Sequence, residues 1–133
     1  MSTRRANPGE GTDPVAAYRR AEGLLSNRRP LEALSELSEI VEECPNDASV
    51  HLLAGRAYID SAQLQQAEAS FVRVLELDPA DHYAHFALGK TYQRQGRLPE
   101  AETQLKIAAA MDPRPEYQEA LGEVRARMAN QRD

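Results

Sequence analysis

Polar and apolar positions along the chain recur with a period of three to four residues. Leu52, Arg56 and Ile59 advance by such steps, as do Tyr83, Phe86, Lys90 and Arg94, so each set shares one helical face. Ala54, Gly55 and Tyr58, and again Leu88, Gly89 and Tyr92, fall on a second face of the same two segments. Near the C-terminus Tyr117, Ala120, Leu121, Val124 and Met128 keep the helical spacing. Val, Ile and Thr do not alternate between tight-turn signals, as a half-buried strand would require. The pattern predicts an all-α chain.

A longer period lies over the helical one. Ala33, Ala67 and Ala101 stand 34 residues apart, and Pro45, Pro79 and Pro113 keep that interval, as do Gly55 with Gly89 and Tyr58 with Tyr92. Several residue types held in one phase are the mark of stacked structural repeats. Residues 48–81 read His51-x2-Ala54-Gly55-x2-Tyr58, then Ala67-x3-Phe71 and Pro79. Residues 82–115 read His85-x2-Leu88-Gly89-x2-Tyr92, then Ala101-x3-Leu105 and Pro113.

These residues resemble the tetratricopeptide repeat family, whose pattern runs W-x2-L-G-x2-Y, A-x3-F and P within one repeat. The resemblance covers residues 14–130 and implies a right-handed superhelical solenoid of antiparallel helix pairs, about seven helices in all. Repeat 1 spans 14–47, repeat 2 spans 48–81 and repeat 3 spans 82–115, with a capping helix and tail over 116–133. Repeat 1 departs from the pattern in its opening helix, with Ala17, Arg20, Ala21 and Leu24 at the signature positions, and returns to it at Ala33-x3-Leu37 and Pro45. An end repeat meets water on one side, so departures are expected there. Residues 1–13, with Pro8, Gly9 and Gly11, predict a disordered tail, which could fold back into a groove of the domain.

Composition narrows the function classes. Hydrophobic residues are 41% and charged residues 28% of the 133, as in folded soluble domains. The N-terminus lacks the apolar core of a secretory signal and no apolar run reaches membrane-spanning length, so a cytoplasmic protein without membrane insertion is expected. Cys44 is the lone cysteine, which excludes an intrachain disulfide and any CxxC site. A formal net charge of -5 argues against nucleic-acid binding. The basic residues are 14 arginines and two lysines, a skew that hints at a GC-rich bacterial genome.

One cluster invites a metal reading. Asp78, Asp81, His82 and His85 crowd into eight residues, and weak metal binding at His82 and His85 is sterically permitted. Against it, Asp81 stands one repeat after Asp47 and reads as a helix N-cap, Pro79 ends the preceding helix, and His85 stands one repeat after His51 at a position expected to pack between helices. The prediction is no metal and no cofactor. GxxxxGK[ST], HExxH and GxSxG motifs are all absent, so no enzyme activity is expected. The glutamates of the second helices, among them Glu36, Glu68 and Glu102, read as a solvated outer face.

The resemblance implies that the first helix of each pair lines the inner face of the solenoid. Its inward positions hold Val15, Tyr18, Glu22, Leu25 and Ser26, then Ser49, Leu52, Arg56, Ile59 and Asp60, then Tyr83, Phe86, Lys90, Gln93 and Arg94. Aromatic side chains beside arginine are enriched at binding hot spots. The expected partner-binding groove is Tyr18, Leu52, Arg56, Ile59, Tyr83, Phe86, Lys90 and Arg94. The places where chaperone-docking members of the family carry a carboxylate clamp hold Tyr18, Glu22, Leu53, Tyr83 and Ala87, so that clamp is missing. The expected function is a non-catalytic adaptor that holds a protein or peptide segment with apolar anchors and acidic residues. A homodimer joined through the same face and a chaperone of secreted substrates are the alternatives.

Overall fold

The computed structural model describes residues 13–132 and contains seven α-helices and no strand among them. They are α1 (Pro14–Ser26), α2 (Pro30–Glu43), α3 (Ala48–Asp60), α4 (Leu64–Leu77), α5 (His82–Arg94), α6 (Leu98–Met111) and α7 (Pro115–Arg132). The expected disorder of residues 1–13 lies, apart from Asp13, outside the described residues. Asp13 itself begins the fold as the N-cap of α1.

Helix boundaries repeat as the residues do. Asp13, Asp47 and Asp81 stand 34 residues apart and cap α1, α3 and α5, accepting the amides of Val15 at 3.1 Å, Ser49 at 3.0 Å and Ala84 at 3.0 Å. An acceptor there satisfies one of the orphan N–H groups of the first turn. Hydrogen bonding to Ser49 holds the Asp47 carboxyl below its ordinary range.

The second helices start differently. α2, α4 and α6 have no side-chain cap; each follows a turn whose central residue has positive φ, Arg28 at 63°, Ala62 at 62° and Gly96 at 78°. The amides of Arg29, Gln63 and Arg97 reach back to the carbonyls of Leu24, Tyr58 and Tyr92 at 2.8, 2.8 and 2.9 Å. This six-to-one bond, with a left-handed residue before it, closes a helix and folds its successor back antiparallel.

Small residues set the helix crossings. Ala33, Ala67 and Ala101 are fully buried, and they let each second helix approach its partner closely enough for Leu37, Phe71 and Leu105 to be enclosed. A Cβ built on Gly55 would stand 2.5 Å from Phe71 Cε1, and one on Gly89 would stand 2.7 Å from Leu105 Cγ. The backbone there occupies the space that a side chain would take.

Each helix packs on its neighbours in sequence, and the first helices also touch one another: α1 meets α3, α3 meets α5, and α5 meets α7. Among the described residues no such contact joins α2 to α4 or α4 to α6. A stack held closer on one side must bend toward it, so α1, α3, α5 and α7 line the inner face of an all-α helical-repeat solenoid. Both ends are polar. Arg20 occupies the place of Ala54 and Leu88 and bonds Glu36 at 3.0 Å, while Glu119, Gly122, Glu123 and Ala126 leave the far side of α7 exposed.

Candidate functional site

The inner face carries a row of half-buried apolar groups crossed by cations. Leu52, Ile59 and Tyr83 pack partly buried against Ala67, Phe71, Ala87 and Leu88. Tyr18 is likewise half-buried, against the cluster containing Ala17, Ala21 and Leu53. Burial raises the Tyr18 and Tyr83 phenols above their ordinary value; Glu22 pushes Tyr18 further up, Asp60, Glu116 and Asp81 do the same to Tyr83, and Arg56 opposes the rise at both. Arg56 therefore lies within electrostatic reach of an aromatic ring in the repeat before it and another in the repeat after.

The eight expected groove residues do not share one state. Arg56 is exposed and Lys90 half-buried, and no hydrogen bond or ion pair engages either among the described residues. Arg94 is exposed but committed, because its Nη1 donates to the Ile59 carbonyl at 2.9 Å and ties α5 to α3. Phe86 departs most from an open groove position: its ring stacks on Tyr117 of α7, centroids 4.6 Å apart, and packs against the Leu98, Ala101 and Leu105 cluster. Tyr83 stands 6.0 Å from Phe86 at a 46° tilt and continues the aromatic row. At the repeat 1 end, Val15, Tyr18, Arg19, Glu22, Asp47 and Ser49 line a cleft of about 280 Å³ between α1 and the start of α3.

Tyr117 was not anticipated as a groove neighbour, although it stands 34 residues after Tyr83. It is fully buried and its hydroxyl meets His82 Nδ1 at 2.9 Å, while His82 Nε2 meets Asp112 Oδ2 at 3.2 Å and Arg114 Nε meets the same oxygen at 3.0 Å. His82 thus stands between the Tyr117 hydroxyl and the Asp112 carboxylate. The network pins α7 to α5.

His51 and His85, expected to pack between helices, are half-buried at the repeat boundaries. Their Nε2 atoms meet the carbonyls of Pro45 at 2.8 Å and Pro79 at 3.0 Å, and His85 Nδ1 meets Gln104 Oε1 at 2.8 Å. A proline carbonyl left without an intrahelical donor takes an imidazole N–H across the repeat boundary. Both nitrogens of His82 and of His85 therefore face protein oxygens, and no group of three or more His, Cys, Asp or Glu side chains able to hold a metal occurs among the described residues.

The outer glutamates are not all simply solvated. Glu36, Glu68 and Glu102 bridge to Arg20, Arg97 and Arg125 at 3.0, 2.8 and 3.0 Å, and Arg97 also lies 4.4 Å above the Tyr92 ring. Such exposed pairs contribute at most about 1 kcal/mol each. Their effect on the groove is indirect: most described arginines outside it are paired, while Arg56 and Lys90 inside it are not.

No helix among the described residues is long and apolar enough to cross a membrane. The tetratricopeptide repeat family model matches residues 60–124. No curated protein matches the chain. Among solved structures, MamA superposes with a TM-score of 0.85 at 17% identity, over 94% of this chain and 72% of that one. The first TPR of Spaghetti (RPAP3), bound to the HSP90 peptide SRMEEVD, gives 0.83 at 14% identity over 87% of this chain and 93% of that one. TTC0263, a thermophilic TPR protein of Thermus thermophilus, gives 0.76 at 25% identity over 93% and 68%.

Proposed function

Because the chain belongs to the tetratricopeptide repeat family, we propose that it is a non-catalytic cytoplasmic adaptor whose inner face holds a segment of a protein partner. The segment brings apolar anchors to Tyr18, Leu52, Ile59 and Tyr83 and carboxylates to Arg56 and Lys90. The observation that carries this reading is the pair of cations without partners among the described residues, Arg56 within electrostatic reach of the half-buried Tyr18 and Tyr83 rings, in a chain whose net charge is -5. A free cation beside an apolar surface offers an acidic ligand both an electrostatic contact and apolar area to cover.

Peptides accompany similar folds such as the RPAP3 repeat, which lends fold-level support, while the ligand chemistry proposed here rests on this chain's own residues. The missing carboxylate clamp points to an internal acidic segment rather than a free C-terminus. The test is fluorescence anisotropy with labelled peptides that mix leucine and glutamate. Arg56→Glu should weaken binding at least about tenfold while leaving the melting temperature unchanged, since the side chain is exposed and unpaired. Binding that survives Arg56→Glu and Tyr18→Ala together would remove the groove assignment.

A further inference from the structure

One row of inner-face residues has a charge order of its own. Glu22, Arg56 and Lys90 stand 34 residues apart, at the same repeat position of α1, α3 and α5, which touch in that order. None of the three is held by a hydrogen bond or ion pair among the described residues. Glu22 and Arg56 are exposed and Lys90 is half-buried, so the row reads negative, positive, positive from the first repeat to the third.

Other charges on this face are mixed in sign. Asp47 and Arg19 flank Glu22 in the cleft at the repeat 1 end and offset each other. One helical turn beyond the row, Asp60 follows Arg56 on α3 and Arg94 follows Lys90 on α5, while Asp81 and Glu116 add negative charge within electrostatic reach of Tyr83. The polarity along the stack belongs to the row itself, from Glu22 through Arg56 to Lys90.

We propose that this row sets the order of charges in the bound segment: a basic residue over Glu22, then acidic residues over Arg56 and Lys90. The proposal rests on the groove reading above and adds to it a sequence code. Packed helices lie about 8–10 Å apart, so the three charges are spaced by about that distance. An extended segment rises about 3.1 Å per residue, and three residues span about 9 Å. The matching ligand is an extended peptide with one basic and two acidic residues at steps of three, and apolar residues between them over Tyr18, Leu52 and Tyr83.

Two peptides of identical composition test the order on the unaltered full chain. One carries Lys-x2-Glu-x2-Glu, the other Glu-x2-Lys-x2-Glu, with leucines in the intervening positions. The second reads the same in either direction and always sets its lysine against Arg56. Anisotropy at low salt should give roughly tenfold tighter binding for the first peptide, its reversed version Glu-x2-Glu-x2-Lys serving for the opposite chain direction. The preference should shrink as salt is added. Glu22→Lys should shift preference toward Glu-x2-Glu-x2-Glu. Equal binding of the two peptides, or a preference untouched by Glu22→Lys, overturns the charge order and leaves the groove reading standing. Failure of every peptide to bind overturns both.

Discussion

Alanine substituted for glycine should change stability in opposite directions along this chain. At Gly55 a new Cβ meets Phe71 Cε1, Cδ1 and Cζ at 2.5, 2.8 and 2.8 Å, and at Gly89 it meets Leu105 Cγ and Cδ2 at 2.7 and 2.8 Å and the Leu105 amide nitrogen at 3.3 Å. Phe71 and Leu105 are fully buried, so neither ring nor isobutyl group can swing into solvent. Overpacking of this kind costs about 1–3 kcal/mol, against which alanine returns about 1 kcal/mol of helix propensity. At Gly23 and Gly122 a Cβ meets nothing within 4 Å, so only the propensity gain remains. The expectation is that Gly55→Ala and Gly89→Ala each lose up to about 2 kcal/mol while Gly23→Ala and Gly122→Ala each gain up to about 1 kcal/mol. Chemical denaturation with circular dichroism separates the signs. The first repeat sharpens the test, since Ala21 occupies the same repeat position, fully buried. Stabilisation by Gly55→Ala would mean that the α3–α4 crossing is not as close as described.

Three further outcomes follow from particular contacts. Ala62→Gly should stabilise by about 0.5–1 kcal/mol, because φ of 62° is strained for alanine and free for glycine, as at Gly96; a rise in melting temperature of a few degrees checks it. His82→Ala should leave the buried Tyr117 hydroxyl without its partner, costing about 1–3 kcal/mol and speeding amide exchange in α7; adding Tyr117→Phe should recover part of the loss, and strict additivity of the two would contradict the network. Burial raises Tyr18, Tyr83, Tyr92 and Tyr117 in the folded chain, so the unfolded chain releases their protons first and stability should fall as pH rises above about 10. Tyr83→Phe should make that decline shallower in a series of melts at rising pH.

What the sequence disclosed was whatever one residue type accomplishes through its own backbone preference. Asp47 and Asp81 announce helix starts because a short carboxylate before a helix accepts an amide, and the 34-residue period of Ala, Gly and Pro exposes the stacking. The turn at Arg28 and Ala62 was illegible, because neither residue favours positive φ; only Gly96 signals it.

The proposed inner-face positions were legible in register, but their contacts were not. Spacing places Phe86 and Arg94 on the inner face beside Tyr83 and Lys90, yet it cannot say that Phe86 stacks on Tyr117 or that Arg94 is tied to the Ile59 carbonyl. Those partners lie 31 and 35 residues away in sequence, and their geometry depends on how neighbouring repeats rotate against each other. The roles of His51 and His85 escaped for the same reason: an imidazole at a core register turns to a proline carbonyl that only the folded boundary brings near.

Everything proposed for this chain requires that the inner face, and no other surface, receives an acidic segment. Amide chemical-shift mapping of the full chain during titration with a leucine- and glutamate-containing peptide locates the contact residue by residue. Shifts should concentrate on α1, α3 and α5 around Tyr18, Arg56, Tyr83 and Lys90, with α2, α4 and α6 undisturbed. Shifts concentrated on the second helices, or none at saturating peptide, would refute the inner-face assignment.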